Sequence, residues 1–291
     1  QEGYDVYVPV DAVGGTSLCA HEAALRRMEQ AGAKLISRVQ MYCELQRDWA
    51  REVTVPGFMG VFENFDGFNA EKALDEADNN FGGAVSVTNG TNVTLVDANA
   101  LALGAINITG ALNATATLGD ISNTGALIIG GNSVFTADTA GASISVANAG
   151  NAFTGTAGFA GAGGLANVSV LDTTALDLQA LSITGNLVAT GAGITDSGVL
   201  DIGGTTTLAA GSGNDITLDS ANNLGTTVSV TSGNNVALTD AGAVNLGAST
   251  ISGTLQVNAA GNITDSGTIS VTGTTTNYAA VGATGTTTTP T

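Results

Sequence analysis

The chain has 291 residues and a formal net charge of −18, long enough for two domains of ordinary size. All seven Lys and Arg fall within the first 72 positions, and no Lys, Arg or Glu follows Glu76. Residues 73–291 therefore hold no cation that could neutralise phosphate, which excludes nucleic acid as a partner there and opposes an anionic membrane surface. No window approaches the ~18 apolar residues of a bilayer span, so no membrane insertion is expected. Gln1 opens a charged and aromatic stretch rather than a signal peptide, and the N-terminus reads as the edge of a fragment.

Residues 1–78 read as an α/β fragment. Residues 4–10 alternate in the manner of a strand, with Pro9 out of place for a buried one because it removes a ladder donor. Ser17 can cap a helix running to about Gln30, closed by Gly32. Residues 34–40 predict a second strand and residues 43–52 a second helix. Cys19 and Cys43, the only cysteines, read as free buried thiols that pack as small hydrophobes. Gly14 and Gly15 precede the helix, but two glycines without a Lys read as a tight turn, not a phosphate loop. His21 has no Cys or His at ligand spacing and reads as a solvent-facing helical residue.

From about residue 79 the composition changes to Gly, Ala, Thr, Ser, Asn and aliphatics, and an internal repeat emerges. Asn79-Asn80-Phe81, Asn151-Ala152-Phe153 and Asn222-Asn223-Leu224 open three segments about 71 residues apart. A second phrase returns at residues 100–112, 175–187 and 243–255, and a third at 121–127, 194–200 and 263–269. Within each segment large apolar and small polar residues alternate, as at Val85-Ser86-Val87 and Ile216-Thr217-Leu218, which is strand periodicity. Gly, Asn and Asp cut these runs after three to five residues, as tight corners require. A sandwich has no reason to repeat in sequence, whereas stacked coils do. The expected fold is therefore mainly β: a parallel β-solenoid over 79–278, with three segments of about three coils each, and a Thr/Gly-rich flexible tail over 279–291. Aromatic rings are expected to be too wide for its interior.

The phrases at Phe81–Thr88, Asn92–Gly104 and Gly203–Gly211 resemble the repeats of filamentous haemagglutinin-type adhesins and related two-partner-secretion passengers. The resemblance covers about residues 79–278. It implies a right-handed parallel β-helix, export through an outer-membrane secretion pore, a secreted or outer-surface location on a bacterium, and adhesion to host or neighbouring-cell surface molecules. Residues 1–65 carry a second likeness, in Gly3–Val8, Asp11-Ala12, Gly14-Gly15, His21-Glu22, Arg27-Met28, Ala31–Ala33 and Glu44–Trp49. These resemble the C-terminal part of isochorismatase-like cysteine hydrolases. The family's nucleophilic Cys, Asp and Lys lie upstream of this part and map to no residue here, so Cys19 is not assigned as a nucleophile.

The solenoid offers little chemistry of its own. Asp196 with Asp201, or Asp215 with Asp219, could pair as glycosidase carboxylates, yet Asp196 returns as Asp265 in the same phrase and fits a structural corner. Gly211–Leu218 resembles a calcium-binding nonapeptide, but that motif works in tandem and here stands once. No catalytic, cofactor-binding or metal residue is assigned, and calcium is kept as the alternative cofactor. Three readings stay open: a non-catalytic adhesive rod, an isochorismatase-like hydrolase fragment with an accessory tail, and an unnatural join near residues 66–80.

Overall fold

The computed structural model describes residues 6–10, 18–37, 40 and 71–279. The chain divides into two compact units, 1–69 and 70–291. The predicted helix at 43–52, the Gly14-Gly15 turn, Cys43 and the tail beyond residue 279 lie outside the described residues.

In the first unit, strand β1 (Tyr7–Pro9) pairs in parallel with β2 (Lys34–Ile36). The bonds from Lys34 N to Val6 O and from Val10 N to Ile36 O place the even-numbered residues toward β2. Pro9 therefore turns its missing N–H away from the ladder, which is why the strand tolerates it. Helix α1 (Leu18–Gln30) ends as the sequence indicates. Gly32 takes φ 91°, and bonds from Ala33 N to Met28 O and Gly32 N to Glu29 O close the last turn. The partly covered side of α1 carries His21, Leu25 and Met28. His21 is thus half-buried on the apolar stripe, not turned to solvent as expected. The strand predicted for 34–40 stops at Ile36, because Ser37 and Gln40 bond reciprocally, side chain to backbone N–H, at 2.8 and 3.1 Å. That is the reciprocal pattern of a capping box. The Lys34 ammonium lies 5.0 Å from the centroid of the Tyr7 ring.

The second unit is a parallel β-solenoid. Every pairing within it is parallel, and one ladder of eleven strands runs from Glu71–Leu74 to Thr275–Ala279, enclosing about ten turns. The ladder thus begins eight residues before the first sequence repeat. Two long faces oppose each other. One is this ladder; the other stacks residues 101–103, Ile121–Asn123, Ile144–Val146, Val168–Leu171, Leu187–Thr190, Thr205–Ala209, Thr227–Ser232, Val244–Leu246 and Ile263–Asp265. Alternation fixes what each strand buries: Leu101 and Leu103, Leu176 and Leu178, and Val236 and Leu238 all point inward with at most 2 % exposure. The apolar ladders so formed are the core.

A short third face completes each turn, and its position changes. In the early coils it comes after the second long face, as Val87, residues 106–108, Leu127–Ile129 and Ala152–Phe153. From Leu165 it precedes that face instead, as Leu181–Ile183, Leu200–Ile202 and Asn223. At Gly233 it returns to its first side, as Ser249–Ile251 and Ile269–Val271.

Two expectations from the sequence are corrected by this geometry. Coils vary from the step Leu178 to Asp196 up to the step Ser133 to Ala157, so a 71-residue segment spans three and a half coils, not three. The second phrase shows this directly: Leu101 lies on the second long face, Leu176 on the first, and Val244 on the second again. Aromatic rings also enter the interior after all. Phe135 and Phe153 are fully buried and Phe159 nearly so. The coil from Ser133 to Ala157 is the longest, and the extra residues widen the cross-section where the three rings meet.

The corner that follows the short third face stacks glycines, on one side in the early coils and on the other after the switch. Gly131 N donates to Gly110 O and Gly204 N to Gly185 O, both at 2.8 Å. A Cβ on Gly204 would stand 2.6 Å from the Gly185 carbonyl, and the strand spacing of ~4.8 Å leaves no room to move. Gly204→Val is therefore expected to destabilise the solenoid by about 1–3 kcal/mol. Val in place of the exposed, unobstructed Gly213 serves as the control, and urea unfolding of the pair reads the difference.

Candidate functional site

The polar residues most deeply buried in the solenoid are Asp97, Asp172, Asp240, Asn151, Asn222, Ser133, Thr206 and Ser249. The three aspartates end a phrase that recurs once per segment: Asn92-Val…Asp97, Asn167-Val…Asp172 and Asn235-Val…Asp240. Each reaches back one coil to the third residue of the segment-opening phrase. Phe81 N donates to Asp97 at 3.3 Å, Phe153 N to Asp172 at 3.1 Å, and Leu224 N to Asp240 at 2.8 Å. The same carboxylates also accept the backbone N–H two residues on, from Asn99, Thr174 and Gly242. Asp172 takes its bonds on Oδ1, including one from the Thr174 hydroxyl, and its Oδ2 has no partner.

The asparagines of the opening phrase do a parallel task. Asn151 Oδ1 accepts Leu127 N and Asn123 Nδ2, and Asn151 Nδ2 donates to Val146 O. Asn222 Oδ1 accepts Leu200 N, while its Nδ2 donates to Asp196. Asn123 and Asp196 hold the same place in the third phrase, so the opening of each segment is tied to the close of the one before. At the surface, Asn92, Asn167, Asn186 and Asn235 each accept the N–H of the coil above, from Ala111, Asn186, Thr205 and Thr254.

Of the four carboxylates weighed from sequence, Asp196, Asp201 and Asp215 accept hydrogen bonds from the next coil. Asp196 accepts Asp219 N, Ser220 N and Asn222 Nδ2. Asp201 accepts Asn223 Nδ2, and Asp215 Oδ1 accepts Asn234 Nδ2, Asn235 N and Asn235 Nδ2. Within Gly211–Leu218, Asn214 Nδ2 donates to Ala210 O. Among the described residues no group of three His, Cys, Asp or Glu side chains could hold a metal ion. Because the best-placed calcium donors already bind backbone, melting curves in EDTA and in millimolar calcium are expected to coincide within about 1 °C. A rise with calcium would reveal a site that favours the folded state. In the first unit, Val6, Val8, Met28, Ala31 and Ala33 line an apolar hollow of about 220 Å³, and none of these described lining side chains is polar.

The Asn-Val…Asp phrase is the sequence signal that marks these aspartates, though it was not among the phrases read from sequence. It returns in the same order as the others, and its Asp lies 16 to 19 positions beyond the opening Phe or Leu, close to one coil.

The chain is 38% identical over 64 residues to "Probable hydrolase YcaC" of Escherichia coli (strain K12), a stretch covering 22% of this chain and 30% of that protein. No solved structure matches this chain. The family described as repeats of unknown function (DUF5649) matches three times in succession, over residues 90–160, 165–231 and 233–288. With most of its length in these three copies, the chain belongs to that repeat family.

Proposed function

We propose that residues 70–291 act as a non-catalytic structural rod in a secreted or surface-held bacterial adhesin, presenting or spacing binding parts toward host or neighbouring cells. The observation that carries this reading is the use made of the recurring polar residues. The aspartates and asparagines that return in every segment are spent on coil-to-coil hydrogen bonds, so what the repeat preserves is stacking. The resemblance to haemagglutinin-type passengers supports export and adhesion, and the absence of Lys and Arg beyond residue 72 fits partners other than nucleic acid. Ten turns at ~4.8 Å extend about 48 Å. The test places the chain between an outer-membrane anchor and an epitope tag on a bacterial surface. The tag should stand away from the anchor by a distance of that order, measured by super-resolution localisation against an anchor-tag control. A tag at the control height would overturn the spacer role.

The match to a probable hydrolase favours a second reading for the first unit alone. Thiolate hydrolysis needs a nucleophile with its base and oxyanion site, and the resemblance assigns none of the three here. Purified chain is accordingly expected to release no ammonia from small amides. Turnover that disappears in Cys19→Ser would favour the hydrolase reading.

A further inference from the structure

Three and a half coils per repeat means that successive segments are related by half a turn about the solenoid axis. The side of the short third face records it: one side through Ala152–Phe153, the opposite side from Leu165 to Asn223, and the first side again from Gly233. The repeat-equivalent, exposed residues Asn107, Ser182 and Thr250 therefore alternate in the side they occupy.

The half-turn keeps the bonds by which the opening phrase joins the neighbouring coils. Leu127 and Leu200 are equivalent residues on alternating sides, and each gives its N–H to the equivalent Asn151 or Asn222. Phe153 and Leu224 are likewise equivalent, and each gives its N–H to Asp172 or Asp240. The inward requirement is also the same on both long faces: Leu176 and Leu178 on one, and Val244 and Leu246 on the other, are all buried. The inward aliphatics of a segment thus suit either long face.

The geometry points to a length-variable device: whole segments can be removed, and the coils beyond the gap turn by half a coil and stack again. Partner-facing residues beyond the deletion would then change sides. The unit of exchange is the sequence repeat, not the integral coil, because only the repeat brings the Asn and Asp staples back into place.

Two deletions test this, in chains carrying Cys19→Ser and Cys43→Ser. Removing residues 151–221 joins Gly150 to Asn222. Asn222 then stands over Leu127, and Ser229 takes the place of Gly158 beside Val134, its partner in the full chain. Removing residues 80–151 joins Asn79 to Ala152, and Ser169 takes the place of Thr94 beside Ala73. Neighbouring strands ~4.8 Å apart fall within disulfide reach. Val134→Cys with Ser229→Cys should cross-link in the first deletion, and Ala73→Cys with Ser169→Cys in the second. Neither pair should cross-link in the full chain, where Ser229 lies beside Thr207 and Ser169 beside Ser145 and Val188. Both deletions should keep a strand-dominated circular dichroism spectrum. Loss of folded protein from both deletions would overturn the inference. So would folded deletions in which the new pairs fail to cross-link.

Discussion

Replacing Phe135 with Ala should lower the unfolding free energy by about 3–5 kcal/mol, which for a unit of this size corresponds to about 10 °C in melting temperature. The ring is fully buried, stands edge-on to Phe153 at 6.0 Å and lies stacked on Phe159 at 5.7 Å. Truncation removes its transfer free energy, leaves a void that rigid strands close poorly, and dissolves two aromatic contacts worth ~0.5–1.5 kcal/mol each. Phe135→Leu should recover about half of the loss. Coils couple to their nearest neighbours, so hydrogen exchange should accelerate first in Leu112–Ala116, Ser133–Ala137 and Ala157–Ala160, and little in Val236–Asp240. A Phe135→Ala chain within about 1 kcal/mol of the parent would mean that the rings do not share the interior.

Asp240→Ala should cost about 2–4 kcal/mol. The carboxylate accepts Leu224 N at 2.8 Å and Gly242 N at 2.7 Å. Leu224 is fully buried, so its N–H would be left with neither protein nor water, a loss of about 1–3 kcal/mol in addition to the bond to Gly242. Asp240→Asn keeps one acceptor and should cost less. Asp97→Ala should cost less again: its bond to Phe81 N is longer, at 3.3 Å, and Phe81 is only partly covered. Denaturant midpoints should rise in the order Asp240→Ala, Asp240→Asn, Asp97→Ala. Equal midpoints would mean that the carboxylates do not staple the coils.

The architecture was largely legible because a solenoid writes its geometry into its repeats. Alternation at Val228-Ser229-Val230 and glycine at the corners specify short strands and turns, and three ordered phrases specify stacking. The half-turn was hidden for a physical reason. Each face asks only for an aliphatic inward and a small residue outward, so Leu101 and Leu176 look alike although they occupy opposite faces. The interior rings were misread because the rule against wide side chains assumes coils of constant length, and the step from Ser133 to Ala157 breaks that assumption. The aspartate staples join residues a full coil apart, so only the return of the Asn-Val…Asp phrase marks them, and one copy read alone does not. Asp196 was legible as a corner residue through its return as Asp265, and its bonds to Asp219 N, Ser220 N and Asn222 Nδ2 give that corner its chemistry. In the first unit, the glycine stop of α1 was readable in the sequence at Gly32, while the end of β2 turned on the bond between Ser37 and Gln40.

The rod, the staples and the half-turn all depend on residues 71–279 stacking as parallel coils in one fixed register. Cysteine pairs in the full chain, with Cys19 and Cys43 replaced by Ser, measure that register directly. Ser145 lies beside Ser122 in the coil below and Ser169 in the coil above. Ser122→Cys with Ser145→Cys, and Ser145→Cys with Ser169→Cys, should each form an intramolecular disulfide under mild oxidation, while Ser122→Cys with Ser169→Cys, two coils apart, should not. Cross-linking of the 122–169 pair in preference to the two neighbouring pairs, or of none of the three, would contradict the solenoid.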